Sequence, residues 1–185
     1  ACFDGAIGDK PTVNGTIQPY LKVQPRRYRF RFYNGGPSRF NWWWLRQGAT
    51  GANYLPMMVI ANDGNLLPRA VSTTNFKQGV AERFDVIIDF TNMKPGTELF
   101  ITNRAEQTSG RGPTGKLLTT GTDSIKFIVE AKRTGLTDNS TPLVNGTPLR
   151  PLPDPVVATT AIRKQWVFGR SSGVWDANGA QFDRY

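Results

Sequence analysis

The residue types that most often carry out metal, redox or nucleophilic chemistry are almost missing from this chain. It contains no histidine, and Cys2 is its single cysteine. A serine or cysteine nucleophile therefore has no histidine base, and a blue-copper site needs two imidazoles and a thiolate. One cysteine cannot form an internal disulfide, so Cys2 is either a free thiol or the partner of a cysteine elsewhere. The sequence predicts no catalytic, cofactor-binding or metal-binding residue in this chain.

Carboxylates offer the remaining route to general acid–base chemistry. Asp85 and Asp89 lie in the strand-like segment 84–90 (FDVIIDF), on the side opposite its apolar residues. Paired acids can act as acid and base, but opposite charges on neighbouring strands also stabilise a sheet modestly. We expect both aspartates to pair with arginines, and we interpret Asp63 as a turn residue.

A row of arginines is the sharpest basic feature. Segment 27–33 alternates arginine with aromatic residues, which is the period-two pattern of a half-buried strand. Arg27, Arg29 and Arg31 then share the outer face. The row could bind a polyanion, but outer-face arginines are more often solvated or paired with carboxylates.

Three consecutive tryptophans, Trp42, Trp43 and Trp44, must place indole rings on both faces of an extended strand. They could form a stacking platform for sugars or bases. The alternative is that one face fills the core and the other an interface between domains.

A glycine-rich stretch, residues 110–116, superficially resembles a phosphate-binding loop. The pattern G-x-x-x-x-G-K-[ST] fails at its last position, where Leu117 replaces the metal-binding hydroxyl, and no helical pattern follows. We reject a nucleotide site here.

The composition predicts an all-β protein. Its 185 residues include 19 glycines and 13 prolines, and strong helical windows are few. Basic residues exceed acidic ones by 23 − 14 = 9, a balance that suits either a polyanion or an acidic neighbouring domain. No apolar run approaches the roughly 18–20 residues that span a bilayer, and the first residues lack the pattern of a signal peptide. We predict neither a membrane nor a nucleic acid as a partner.

Turn and strand patterns divide the chain. Asn14-Gly15 predicts a tight hairpin, and eight to nine strands follow up to Val129. Residues 105–122, rich in Gly, Ser and Thr, are expected to form a surface loop. Residues 132–161 hold five prolines between Pro142 and Pro155 and predict a semi-extended linker. A strand at 162–168 and the start of a hairpin at 173–182 complete the prediction.

An ordered set of motifs resembles the second cupredoxin-like domain of three-domain multicopper oxidases, the family of laccases, bilirubin oxidase and spore-coat laccases. The similarity is good over residues 8–105 and looser to about 130. Trp175, Asn178-Gly179 and Phe182 resemble the opening of the third domain. The matching pieces are Val13-Asn14-Gly15, Pro19-Tyr20-Leu21, residues 25–31 (PRRYRFR), residues 34–39, residues 62–68 (NDGNLLP) and residues 81–90 (AERFDVIIDF).

The resemblance implies a cupredoxin-like Greek-key β-sandwich or barrel at 1–131, a proline-rich linker at 132–161 and the beginning of a third domain at 162–185. In this family one copper oxidises a phenolic, bilirubin-like or metal substrate, and a three-copper cluster reduces O2 to water. The histidine and cysteine ligands belong to the first and third domains, which would be the partners of this chain. Copper is thus expected in the flanking parts and not in this chain, which would be inactive alone. An extracellular, periplasmic or cell- or spore-surface location is also implied.

A stand-alone β-sandwich module that binds glycans or another polyanion is the alternative function. Three N-x-[ST] sequons add a possible modification. Asn14 lies in the predicted hairpin turn, whereas Asn139 and Asn145 lie in the predicted linker, where a glycan would be tolerated.

Overall fold

The computed structural model describes residues 5–151, 153 and 156–181, and Cys2 and Phe182 lie outside this part of the chain. The chain forms two compact units, Ala1–Pro151 and Leu152–Tyr185. The described residues contain strands, turns and irregular segments but no α-helix. None of them forms a helix long and apolar enough to cross a bilayer.

The first unit is a sandwich of two sheets preceded by a short hairpin. The hairpin comprises β1 (Thr12–Val13) and β2 (Thr16–Ile17). Sheet I has the order β4-β10-β7-β8 and comprises β4 (Arg27–Tyr33), β7 (Met57–Asn62), β8 (Asn65–Thr73) and β10 (Arg83–Asp89). Sheet II has the order β3-β12-β11-β5-β6, with β9 also beside β5, and comprises β3 (Tyr20–Val23), β5 (Asn41–Gln47), β6 (Tyr54–Leu55), β9 (Asn75–Gln78), β11 (Glu98–Ala105) and β12 (Leu117–Val129).

Two-residue turns set the strand registers where the sequence predicts them. Asn14 and Gly15 have φ angles of 51° and 82°, the left-handed values that a type I′ hairpin requires. Asp63 and Gly64 repeat this geometry between β7 and β8, with φ angles of 45° and 84°. The predictions of a hairpin at Asn14-Gly15 and of a turn residue at Asp63 are confirmed.

The core lies between the two sheets and follows from period-two alternation. On β4 the aromatic residues Tyr28, Phe30 and Phe32 pack against the core while the arginines face outward, as predicted. Phe90 and Phe127, both buried, pack against Phe30 with ring centroids 6.5 and 5.0 Å away, the first edge-to-face and the second tilted. Each such burial stabilises the fold by about 1.5–3 kcal/mol. The buried core residues of the two sheets include Met57, Val59, Val86 and Ile88 on sheet I and Val23, Leu45, Leu99, Ile101 and Val129 on sheet II.

The predicted surface loop at 105–122 is too long. Only residues 106–116 leave the sheet, because β12 begins at Leu117 and pairs back onto β11 through Ala105. The Gly and Thr content suggested a loop, but threonine also favours strands, and Gly121 makes an irregularity in the pairing. Its φ is 75°, and a Cβ there would lie 2.7 Å from the carbonyl oxygen of Asn103. Only glycine fits at this position.

Residues beyond 131 remain attached to the first unit. The backbone N–H of Arg27 donates to the Asp138 carboxylate at 2.9 Å. The N–H of Ala70 on β8 donates to the Thr147 carbonyl at 2.8 Å, and Leu149 donates to the Pro68 carbonyl at 2.9 Å. Because β8 is the outer strand of sheet I, this segment covers its free side. The boundaries 131/132 and 161/162 stay predictions.

The second unit holds a three-stranded sheet of β13 (Phe168–Ser171), β14 (Val174–Ala177) and β15 (Ala180–Gln181). The prediction of a strand over 162–168 is wrong, because only Phe168 belongs to one. Residues 165–167 instead contact the turn residue Asn178, whose N–H donates to the Val167 carbonyl at 2.7 Å. The hairpin around Asn178-Gly179 forms as predicted up to Gln181.

Candidate functional site

The donor set of this chain does not fit a copper centre. The sequence supplies no imidazole, and its one thiol, Cys2, lies outside the described residues. Within the described residues, no three His, Cys, Asp or Glu side chains are grouped closely enough to hold a metal ion. Since blue-copper and multinuclear copper sites are built from several imidazoles, no catalytic step can be assigned to a metal held by these residues.

The aspartates that could have been catalytic are ion-pair partners. Asp85 accepts a hydrogen bond from Arg29 Nε at 2.9 Å, and Asp89 lies 3.7 Å from Arg27. The antiparallel pairing of β10 with β4 creates these contacts, because it places Asp89 opposite Arg27 and Asp85 opposite Arg31, diagonally across from Arg29. The prediction that both aspartates pair with the arginine row is confirmed.

Arg27 is the most heavily used member of the row. Its Nε donates to Ser140 Oγ at 2.7 Å, a second nitrogen donates to the Ser140 carbonyl at 2.6 Å, and Asp138 lies 3.6 Å away. The N–H of Arg27, followed by the hydroxyl and N–H of Ser140, holds the pKa of Asp138 well below its usual range. The carboxylate therefore stays charged, and two of the three arginines are committed to internal carboxylates.

The three tryptophans divide between the two faces of β5, as predicted. Trp43 packs against the core, with its ring 6.0 Å from that of Phe32, and its indole N–H donates to Gln78 at 2.7 Å. Trp42 and Trp44 lie on the outer face of sheet II, with ring centroids 6.4 Å apart.

The outer pair belongs to a larger cluster, which we call the tryptophan face: Trp42, Trp44, Tyr54, Lys77 and Arg104. Lys77 Nζ lies 4.2 Å above the Trp42 ring, and the Arg104 guanidinium lies 4.9 Å from the Trp44 ring and 5.1 Å from the Tyr54 ring. Cations over ring faces are attracted by the π-electron quadrupole. Because these cations already lie over the rings, the face is less suited to stacking sugars or bases.

Sequence reasoning found the tryptophans but not their cationic neighbours. Lys77 reaches Trp42 because β9 pairs with β5 in a register that sets these two residues opposite each other. Arg104 comes from β11, about 60 residues further along. The alternation of β9 and β11 could have indicated which side chains share a face, but not which strands are neighbours.

A buried ion pair lies on the same outer face. The side chain of Arg46 is only 5% exposed; it donates to Asp123 at 2.6 Å and to the Gly48 carbonyl at 2.8 Å, and its guanidinium lies 4.9 Å from the Phe100 ring. Thr102 donates its hydroxyl to the other carboxylate oxygen of Asp123 at 2.5 Å. Apart from the Arg46 Nε, which is buried without a partner among the described residues, these polar groups hold one another, so we interpret the cluster as structural.

The two predicted glycosylation positions lie on exposed backbone of the first unit. Asn145 uses its side-chain oxygen to accept from the N–H of Ser72 at 2.9 Å, and Asn139 precedes Ser140, whose hydroxyl is engaged by Arg27. Modification of either stays a prediction.

The glycine-rich stretch at 110–116 lies between β11 and β12 and leads into a strand, not a helix. The hydroxyl of Thr114 contacts Glu106 at 2.5 Å. The prediction that no helix follows this stretch is confirmed, and the absence of a nucleotide site stays a prediction.

The all-β sandwich, with a core shared by two sheets, is the architecture of a cupredoxin-like domain. No family model matches the chain. It is 34% identical over 176 residues to bilirubin oxidase of Albifimbria verrucaria, covering 95% of this chain and 29% of the oxidase. It superimposes on laccase from Pediococcus acidilactici with a TM-score of 0.72 and 27% identity, covering 98% of this chain and 33% of the laccase.

A third relative carries a different name. The cell division protein FtsP of Yersinia pestis is 29% identical over 94% of this chain, which covers 35% of that protein. The match thus spans about a third of the length of each of these three proteins. Taken together with further matches to laccases and multicopper oxidases, these findings identify it as a cupredoxin-like segment of the multicopper oxidase family.

Proposed function

We propose that this chain is an internal, copper-free segment of a multicopper oxidase and acts as the spacer between two copper-bearing domains. The observation that carries the proposal is the match of 95% of the chain to only 29% of bilirubin oxidase, in a sequence without histidine. A segment without imidazole contributes to such an enzyme by holding its neighbours at a fixed separation.

The parent activity in this proposal is oxidation of a phenolic, bilirubin-like or metal substrate coupled to reduction of O2 to water. Electrons would pass between copper sites outside this chain, and the isolated chain would be inactive. The flanking domains, in the same chain or in nicked fragments, are the proposed partners. An extracellular, periplasmic or cell- or spore-surface location belongs to the same proposal.

Two surfaces suit contact with such neighbours. The tryptophan face offers aromatic rings and two cations for which no carboxylate partner occurs among the described residues. In the second unit, Trp166, Phe168 and Trp175 are 64%, 78% and 70% exposed. Large exposed aromatic side chains are typical of interfaces that another domain covers. We propose 1–131 as the second domain, 132–161 as the linker and 162–185 as the beginning of the third.

The decisive experiment captures the native protein from its source with an antibody against this chain. Intact mass, peptide mapping and copper content are then measured on the captured material. We expect a polypeptide much larger than 20.5 kDa, or a tightly bound companion, with histidine-rich peptides and bound copper. A lone 20.5-kDa polypeptide without a histidine-bearing companion would contradict the proposal.

A second candidate is an assembly role without oxidase activity, and the similarity to the cell division protein favours it. The same capture experiment separates the two. A large parent protein whose flanking peptides lack histidine clusters and which binds no copper would favour the assembly role. The stand-alone polyanion-binding module is less well supported, because Arg27 and Arg29 already pair with internal carboxylates.

A further inference from the structure

A cleft of about 320 Å³ opens at one end of sheet I, and its lining includes no residue of the tryptophan face. One wall comes from the residues that lead into β4, another from Thr91 after β10, and the third from the segment after β12. The lining residues are Pro25, Arg26, Arg27, Thr91, Lys132, Leu136, Thr137 and Asp138. Its volume is near the lower end of about 300–1,000 Å³ for small-ligand sites, which fits a compact ligand rather than a polymer.

The cleft is positively charged. Its lining carries three cations and one carboxylate, so its formal charge is 3 − 1 = +2. Asp138 is already saturated, since one oxygen accepts from the N–H of Arg27 and the other from the N–H and hydroxyl of Ser140. Arg27 is likewise committed to Ser140, Asp89 and Asp138. These two residues frame the cleft but have little capacity left for a ligand.

Arg26 and Lys132 are the uncommitted cations. Arg26 lies 5.0 Å from the Tyr28 ring, and no described residue accepts a hydrogen bond from its guanidinium, whose Nε is buried without a partner. Lys132 has no carboxylate or hydrogen-bond acceptor within the described ranges. The Arg26 Nε is closed off from the cleft, so Arg26 can offer a ligand only its terminal Nη groups, and Lys132 offers its exposed ammonium group.

The walls that carry these two cations are held in place by hydrogen bonds. Gln24, only 8% exposed, donates to Glu130 at 3.0 Å and accepts from the N–H of Arg133 at 2.9 Å. The carbonyl of Gln24 also accepts from the N–H of Arg26 at 2.8 Å. Glu130 faces Lys22 and Arg133 at 3.5 and 3.9 Å, while Asp89 accepts from the N–H of Thr91 at 2.8 Å and pairs with Arg27, so both carboxylates have partners. The positive cleft is therefore built before any ligand arrives.

We propose that this cleft binds a compact tetrahedral oxyanion, phosphate or sulfate, either free or as the terminal group of a small ester. Arg26 would supply the planar pair of N–H donors that matches two oxygens of such an anion, and Lys132 would supply a mobile point charge. The hydroxyls of Thr91 and Thr137 add donors on the lining. This site does not depend on copper or on the parent activity.

The test is calorimetric titration of the 185-residue chain with inorganic phosphate and sulfate at low ionic strength, with glucose 6-phosphate as the ester arm. Saturable one-site binding is expected, weakening as chloride rises because screening acts on all charge pairs. Arg26→Gln and Lys132→Gln are each expected to weaken binding at least tenfold. Arg31→Gln is the matched control, since it removes the same charge from an exposed residue of β4 outside the cleft, and its affinity should stay within twofold.

The outcomes separate the sources of the anion. Binding of inorganic phosphate supports a site for the free ion, and binding of glucose 6-phosphate alone supports a site for the ester. No binding of any of the three anions overturns the proposal, as does equal weakening by Arg31→Gln, which would show a response to net charge only. If Arg26→Gln unfolds because its contact with Tyr28 is lost, the exposed Lys132→Gln variant decides the matter.

Discussion

Removing the carboxylate of Asp123 should leave Arg46 as an uncompensated buried charge. The Arg46 side chain is 5% exposed, and Asp123, at 2.6 Å, is its one carboxylate partner in the described part of the chain. Removing one partner of a buried ion pair lowers the free energy of unfolding by about 3–5 kcal/mol. For Asp123→Ala we expect a loss of about 3 kcal/mol, because Asp123 is itself 33% exposed. In a chain of this size that corresponds to a melting temperature lowered by about 6–12 °C.

Urea unfolding, followed by tryptophan fluorescence, measures this loss of stability. Trp43 reports on unfolding because it packs against the core from β5, the strand that also carries Arg46. The midpoint should fall by about 1–3 M for a loss of 3 kcal/mol. Glu98→Gln is the matched control. It breaks the pair of Lys126 and Glu98, which joins side chains 35% and 39% exposed, and should cost less than about 1 kcal/mol.

A double variant tests the cause. Arg46→Met with Asp123→Ala removes the guanidinium that would otherwise be stranded, so at least half of the lost stability should return. If Asp123→Ala costs no more than Glu98→Gln, or if the double variant is as unstable as the single one, Arg46 is not held by this carboxylate and the reasoning is refuted.

Three further predictions concern backbone geometry, acid stability and the core. Gly121→Ala should destabilise the fold by about 1–3 kcal/mol or more in urea unfolding, while Gly115→Ala, at a φ of 87° but with open space around it, should cost only the smaller conformational penalty. Because the pKa of Asp138 is lower in the folded chain, its stabilisation is complete above about pH 5 and lost as pH falls below about 4. In Asp138→Asn the free energy of unfolding should therefore fall less steeply with decreasing pH below about 4 than in the parent chain. An unchanged slope would contradict this. Phe90→Ala should cost about 3–5 kcal/mol, and a melting temperature within 2 °C of the parent would show that the aromatic cluster is not the centre of the core.

The strands of sheet I could be predicted because their determinants are local. Alternation in 27–33 and 84–90 fixes which residues face the core, and Asn14-Gly15 fixes a turn by its backbone preference alone. Predicting the pairing of Asp89 with Arg27 also required the assumption that two strands with outer faces of opposite charge are neighbours in the sheet.

The parts of the fold and of the cleft that could not be predicted depend on contacts between residues far apart in the sequence. Asp138 lies 111 residues from Arg27, and no periodic pattern connects a proline-rich segment to the start of β4. The strand at 117–122 was missed because its glycine and threonine content is shared by loops, and only pairing with β11 shows its role. The cleft beside Arg26 likewise needs three segments that meet only in the folded chain.

The attachment of residues 144–150 to β8 has a practical consequence for anyone preparing the sandwich by itself. A recombinant product ending at 131 would strip the partner from the amide of Ala70 and from the carbonyl of Pro68. Bare backbone along an outermost strand is a template on which a second molecule can add, so such a product should aggregate. Termination after Pro151 retains the protective segment and is expected to yield a monodisperse preparation.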